Sequence, residues 1–178
     1  MNIENILNQG VAILKNNNIP NPYLDSEILL SKSINKDKKY IILNSKEILN
    51  NKQLDNFNNL IDRRKNGEPI AHLTNKKEFW KDEFYVNEDV LIPRPDTELI
   101  IEQVLKTYSG QSQLQVLDIG TGSGCILLSI IKERPNFYGT GIDISKKSIK
   151  VSKINAKLLN LTNRIKFIHS SVDNFNIG

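Results

Sequence analysis

Apolar residues Ile3, Ile6, Leu7, Val11 and Leu14 recur at helical spacing, and Gly10 weakens that pattern without ending it. They predict a first helix over roughly residues 3–17. Asn18-Ile19-Pro20-Asn21-Pro22 reads as a turn, and Tyr23 to Leu30 starts a second helix with proline near its first turn. Lys38 to Leu43 makes a short third helix. Leu54, Phe57, Leu60 and Ile61 then mark a longer one that ends at Asn66-Gly67, a suitable C-cap. Residues 1–67 therefore read as a small helical bundle.

From Glu68 the texture changes to aromatic and β-branched residues. Glu78-Phe79-Trp80 and Glu83-Phe84-Tyr85-Val86, separated by Lys81-Asp82, predict a β-hairpin. Leu91-Ile92-Pro93-Arg94-Pro95 follows, stiffened by its prolines, and Asp96 or Thr97 can cap a helix over residues 96–107. Strand, helix and strand then alternate: strand 114–119, helix 124–134 stopped by Pro135, strand 137–142, helix 145–160 and strand 164–169. That alternation is the signature of an α/β fold with a parallel sheet.

The candidate chemistry lies at the first strand-to-helix turn. Val116-Leu117-Asp118-Ile119 runs into Gly120-Thr121-Gly122-Ser123-Gly124-Cys125, and the next strand ends at Gly141-Ile142-Asp143. A strand, a glycine turn, a helix and a carboxylate about twenty residues on place that carboxylate where ribose hydroxyls lie in a nucleoside-binding fold. A dinucleotide site wants G-x-G-x-x-G, whereas here the spacing is G-x-G-x-G and Cys125 holds the position of the third dinucleotide glycine. Asp118 adds a carboxylate near the turn, which suits a cationic ligand and repels phosphate. The pattern looks like the first motif of Rossmann-like methyltransferases, implying S-adenosyl-L-methionine as cofactor. A dehydrogenase, and a glycine turn that binds nothing, are the other readings.

Composition narrows the classes further. Of 178 residues, 39% are hydrophobic, enough for one ordinary domain or two small cores. The net charge of +4 is evenly spread, with 10 basic against 8 acidic side chains in residues 1–75 and 14 against 12 in residues 76–178, which argues against a nucleic-acid surface. Lys146, Lys150, Lys153 and Lys157 form one basic stripe beside the apolar stripe Val151, Ile154, Leu158 and Leu161 and read as a solvated helix face. The single cysteine excludes an intramolecular disulfide and fits a reducing compartment. With no basic leader and no apolar run long enough to span a bilayer, the expectation is a cytoplasmic protein without a membrane partner. His72 and His169 read as structural or surface residues. Cys125, at a helix start where a thiolate is favoured, reads as a packing residue, and no ligand set has metal spacing.

Four further segments extend the picture: Leu24-Asp25-Ser26-Glu27-Ile28-Leu29-Leu30, Glu68-Pro69-Ile70-Ala71-His72-Leu73, Phe79-Trp80, and Leu91-Ile92-Pro93-Arg94-Pro95-Asp96-Thr97-Glu98. With these in order, the chain resembles the release-factor glutamine N5-methyltransferase family, also known as PrmC or HemK. The resemblance implies a helical substrate-recognition domain over residues 1–67, a β-hairpin and linker over 68–95, and a partial Rossmann-like methyltransferase domain over 96–178. It implies methylation of the side-chain amide of the glutamine in the Gly-Gly-Gln tip of peptide-chain release factors. By the same resemblance Gly120, Thr121, Gly122, Ser123 and Gly124 form the cofactor loop beside the Asp118 carboxylate already noted, and Asp143 takes the ribose hydroxyls. Cofactor contacts near Ser171 and Val172 are implied too, although the family usually has an acid followed by an aromatic there. Arg94 is placed near the substrate, while the plainer reading pairs it with Glu98 on the surface.

The family's Asn-Pro-Pro-Tyr signature, whose asparagine and proline carbonyl hold the amide nitrogen toward the methyl group, occurs nowhere in the 178 residues. The expectation is therefore cofactor affinity without appreciable methylation, no catalytic residue within the chain, and a fragment whose first parallel strand is an open edge able to pair with another chain. A release-factor-binding module without chemistry and a nucleic-acid adenine methyltransferase are the competing functions.

Overall fold

The computed structural model describes residues 1–110 and 112–175, and the chain divides into two compact units, Met1–Thr74 and Asn75–Gly178. The first holds five helices: α1 (Ile3–Asn16), α2 (Pro22–Ile34), α3 (Lys38–Leu43), α4 (Asn51–Lys65) and α5 (Ile70–Thr74). Ile3, Ile6, Leu7 and Leu14 of α1, the apolar positions that predicted it, pack with Leu29 and Leu30 of α2 and Phe57, Leu60 and Ile61 of α4 in one core. The amide-rich composition has a local use in these elements. Asn2 caps α1 by accepting from the Asn5 amide at 2.9 Å, and Asn50 forms a capping box with Gln53 on α4. Among the described residues asparagine also supplies four of the five non-glycine positions at positive φ, including the left-handed Asn35 that ends α2. The unforeseen helix is α5, which at five residues is too short to show a period.

Asp25 and Glu27 of α2 are buried, at 6% and 3% exposure. Each is compensated by a cation: the Arg64 guanidinium meets Asp25 at 2.7 Å, and the Lys38 ammonium meets Glu27 at 2.8 Å. Removing one partner of such a pair strands a charge in a poorly solvated site.

In the second unit a hairpin of β1 (Lys77–Phe79) and β2 (Asp82–Phe84) precedes a 3₁₀ turn (Pro95–Thr97) and α6 (Glu98–Thr107). Then come β3 (Gln115–Ile119), α7 (Cys125–Glu133), β4 (Tyr138–Asp143), α8 (Lys146–Leu158), β5 (Ile165–His169) and a second 3₁₀ turn (Val172–Asn174). The three long strands are parallel in the order β3-β4-β5, as the alternating pattern requires. Val116, Asp118, Gly141, Ile165 and Phe167 share the sheet face that packs with α7 and α8, and much of this face lies in the second core. Leu117, Ile119, Tyr138 and Ile168 share the opposite face and are 37%, 56%, 39% and 38% exposed. Among the described residues β3 has a strand neighbour on one side only, so its outer backbone groups form an open edge.

The hairpin is short and firmly tied. Phe79 and Phe84 meet edge to face at 6.0 Å between ring centroids, and both are fully buried. Trp80 takes a left-handed φ of +57° at the turn, a conformation that costs a bulky residue about 1 kcal/mol or more. It is held there by its backbone amide, which donates to Glu98 Oε1 at 2.8 Å, and by its indole, which donates to Glu133 Oε1 at 2.9 Å. Glu98 thus ties the start of α6 to the hairpin and does not pair with Arg94. The expected side-chain cap from Asp96 or Thr97 is also absent, the 3₁₀ turn standing in its place.

One expectation about the last long helix needs correction. Val151 and Leu161 are buried, but Ile154 and Leu158, the rest of the supposed apolar stripe, are 43% and 60% exposed. The buried face of α8 instead carries Ser148, Ser152 and Asn155 beside Ile149, Val151 and Ala156. It faces backbone polar groups of neighbouring segments, which need partners once removed from water.

Arg164 shows how one side chain closes a helix end. One of its guanidinium nitrogens donates to the carbonyls of Ile131, Arg134, Pro135 and Phe137 at 2.7 to 3.3 Å, where α7 stops. Hydrogen bonds to a charged group contribute about 1.5–3 kcal/mol. Arg164→Ala should lower the stability of the second unit by roughly 2 kcal/mol in chemical denaturation. Arg164→Lys should recover only part of that loss, because the lysine side chain is one atom shorter and its ammonium stops short of the place where the guanidinium nitrogen meets the carbonyls; full recovery would show that charge alone matters.

Candidate functional site

The turn between β3 and α7 is built by hydrogen bonds that point into the protein. The amides of Gly120 and Thr121 both donate to the Ile142 carbonyl, at 2.9 and 3.0 Å, and the Gly124 amide donates to the Thr121 carbonyl at 2.8 Å. The Gly122 amide donates to Asp143 Oδ2 at 2.9 Å, and Asp143 Oδ1 accepts from the Ser145 amide at 2.8 Å. Asp143 therefore fastens the glycine turn to the end of β4 and the start of α8. A phosphate cradle needs its loop amides aimed outward at the ligand. Here four of them are already engaged with protein acceptors.

The glycines divide into two kinds. Gly120 has φ +75° and a Cβ there would meet nothing within 4 Å, so its backbone lies bare toward the outside. Gly124 has φ +81° and a Cβ there would meet Leu128, Phe167 and Ser152 at 3.0 to 3.2 Å, so it serves the packing of α7 and α8 against the sheet. Thr121 and Ser123 are buried at 6% and 3% exposure, which leaves the Gly120 and Gly122 backbone as the parts of the turn open to a visitor.

A cleft of about 310 Å³ lies beside the turn, lined by Ile119, Gly120, Asp143, Ile144 and Val172 among others. It gathers Gly120, Asp143 and Val172 from the sequence reading at one place, with Ser171 and Asp173 from the segment after β5. Ile144 and Asp173 had no sequence signal, being an exposed aliphatic and an isolated acid after the strand ends. Arg94 is exposed at the start of the first 3₁₀ turn and does not line this cleft.

Asp118 sits just behind the turn and accepts from the Thr121 hydroxyl at 2.7 Å. Burial pushes its carboxyl above the ordinary range; the Thr121 hydroxyl opposes that shift, and the nearby Asp143 carboxylate adds to it. Two carboxylates that feel one another make this an acidic corner. Cys125, for which the helix start could have favoured a thiolate, is buried, and burial pushes its thiol up to about 11. It is a neutral packing residue at physiological pH. His169 is exposed, with Nε2 at 3.0 Å from the Ile144 carbonyl, whereas the Nε2 of His72 is buried without a hydrogen-bond partner. Among the described residues no group of three or more His, Cys, Asp or Glu is arranged to hold a metal ion, and no helix is long and apolar enough to cross a membrane.

Two predictions separate the parts of this turn. Gly124→Ala should cost about 2–3 kcal/mol in folding stability through steric crowding and positive φ together, and Gly120→Ala only about 1 kcal/mol through φ alone; equal losses in denaturation would contradict the division. Asp118→Asn should melt higher than the parent at neutral pH, because it removes a carboxylate that burial disfavours. The raised folded-state value means the parent's penalty is present at high pH and fades as pH falls toward the unfolded-state value. The gap in melting temperature should therefore close on acidification, and a gap that widens would be inconsistent with a raised Asp118.

Residues 5–74 match the PrmC N-terminal domain family, and residues 111–177 match a family described as methyltransferase domain. A release factor glutamine methyltransferase of Buchnera aphidicola subsp. Baizongia pistaciae is 42% identical over 96% of this chain and 61% of its own length. A bifunctional methyltransferase of Rickettsia bellii is 37% identical over 95% of this chain and 35% of its own length. The chain spans about half the length of the curated relatives it matches. Among solved structures, a SAM-dependent methyltransferase from Thiobacillus denitrificans in complex with S-adenosyl-L-homocysteine is 28% identical with a TM-score of 0.37, covering 43% of this chain and 29% of that one. Two domain families thus meet in order along one chain, and in sequence the chain is similar, over nearly all of its length, to relatives named release factor glutamine methyltransferase.

Proposed function

We propose that the cleft beside the glycine turn holds S-adenosyl-L-methionine, and that the chain serves methylation of the glutamine side chain in the Gly-Gly-Gln motif of peptide-chain release factors. The observation that carries the cofactor reading is the combination of inward-turned loop amides with two neighbouring carboxylates. Such a site repels a pyrophosphate and attracts a cation that also carries ribose hydroxyls. When bound, S-adenosyl-L-methionine supplies an electrophilic methyl group on a sulfonium with a good leaving group.

The chain's own residues then have separate tasks. Asp143, its carboxylate fixed by the Gly122 and Ser145 amides, has lone pairs left to accept from ribose hydroxyls. Asp118 faces the cationic amino-acid end, and Gly120, Thr121, Gly122, Ser123 and Gly124 shape the turn that lets that end approach the backbone. Val172 and Ile144 offer aliphatic surface to the adenine ring. Arg94, exposed and without an ion pair among the described residues, is assigned to the release factor.

The names of the relatives support the release-factor substrate. This reading puts the protein in the cytoplasm with the translation machinery and gives it no nucleic-acid or membrane partner, while the open edge of β3 is free to pair with another strand. A second reading, a release-factor-binding module without chemistry, rests on residues 5–74, which match the PrmC N-terminal domain family.

Calorimetric titration with S-adenosyl-L-methionine and with NAD tests the cofactor. The former should bind and the latter should not, and Gly120→Ala or Asp143→Ala should weaken binding at least about tenfold, or ~1.4 kcal/mol. Binding of NAD without S-adenosyl-L-methionine would overturn the reading. Tritium transfer from the labelled cofactor to a release factor then distinguishes enzyme from module.

A further inference from the structure

Asn155 is a buried side chain of the second unit that makes three hydrogen bonds to backbone groups distant in sequence. It is 1% exposed, in the last turn of α8. Its Oδ1 accepts from the Tyr85 amide at 2.7 Å, and its Nδ2 donates to the Tyr85 carbonyl at 3.0 Å. The same Nδ2 donates to the Ser123 carbonyl at 2.8 Å. A primary amide has one acceptor oxygen and two N–H donors, so three bonds exhaust its donors and leave no unmet donor in the core. The pairing with Tyr85 engages both polar groups of one peptide residue, as a neighbouring strand would. The third bond reaches the glycine turn.

We propose that Asn155 is a positioning residue for the cofactor turn: it braces the Ser123 peptide against the segment leaving the hairpin and so fixes where the Gly122 and Gly124 backbone lies. This rests on the reading of that turn as the S-adenosyl-L-methionine site. The surrounding structure supplies rigidity for such a brace. The segment after Tyr85 is stitched to α8 again at its start, where the Ser148 hydroxyl donates to the Asp89 carbonyl at 3.1 Å and the Lys147 ammonium meets Asp89 at 2.9 Å. At the same end the Ser145 amide donates to Asp143, which itself accepts from Gly122. Helix α8 therefore grips the turn at two points, through Asp143 at its N-terminus and through Asn155 two to three turns later. With both in place, the Ser123 carbonyl cannot swing toward the ligand.

Asn155→Asp keeps the acceptor toward Tyr85 but sets a carboxylate oxygen against two carbonyls, and Asn155→Ser is the milder variant if the aspartate chain does not fold. The control is Ile101→Val, a fully buried change on α6 that touches none of the hydrogen bonds of Asn155, with comparison made at matched distance below each variant's melting temperature. Affinity for S-adenosyl-L-homocysteine should fall at least about tenfold in the Asn155 variants and less than about twofold in the control. Amide hydrogen exchange, read without any ligand, should show Gly122 and Gly124 losing protection in the Asn155 variants and keeping it in the control. Unchanged affinity and protection in the Asn155 variants, or equal losses in the control, would overturn the proposal. Should the parent protein fail to bind S-adenosyl-L-homocysteine, the cofactor reading falls and this role falls with it, while the exchange data would still report whether Asn155 holds the turn.

Discussion

The close approach of helices to sheet around the Phe167 ring is the constraint on which the second unit depends. A Cβ on Gly141 would come within 2.5 Å of that ring, and one on Gly124 within 3.1 Å. The ring thus occupies the space left by two missing side chains, one on the central strand and one where α7 begins. Because interiors are close-packed, this contact sets how far α7 and α8 sink toward β4. The level of the glycine turn, the reach of Asn155 and the position of Asp143 all follow from it. Glycine at position 124 thus serves the scaffold, while Gly120, four residues earlier, serves the opening.

The division of the chain into a helical part and an α/β part was legible because both rest on periodicity. Ile3, Ile6, Leu7 and Leu14 sit one or two turns apart and are buried where their spacing says. The strand, turn and helix around Gly120 to Gly124 were legible for a different reason: positive φ at three glycines and a carboxylate after the next strand are local requirements, written in adjacent residues. Asn155 was not legible. Its partners are Tyr85, 70 residues earlier, and Ser123, 32 residues earlier, so nothing near it in the chain marks it as interior. The helix that bears it looked amphipathic in the usual sense, yet Leu158 lies in solvent and Ser152 lies in the core. Propensity and hydropathy fail where the buried face must satisfy backbone groups of other segments.

The same limit applies to Glu98. One turn from Arg94, it invited an ordinary ion pair, a contact of small worth at an exposed site. The structure gives its carboxylate to the Trp80 amide instead, a charge-assisted bond that stabilises a left-handed residue no short-range rule would place there. Arg94 is thereby left without that partner, exposed between two prolines.

The turn of the hairpin has a practical side. Trp80 is the only tryptophan in the chain, and its indole is tied to Glu133 while the Lys81 ammonium lies 5.5 Å from the ring centroid. Its fluorescence therefore reports on a single place, the seat of the hairpin on α6 and α7. Emission wavelength and quenching follow the loosening of that seat directly, so the fate of the hairpin can be watched through unfolding without any added label.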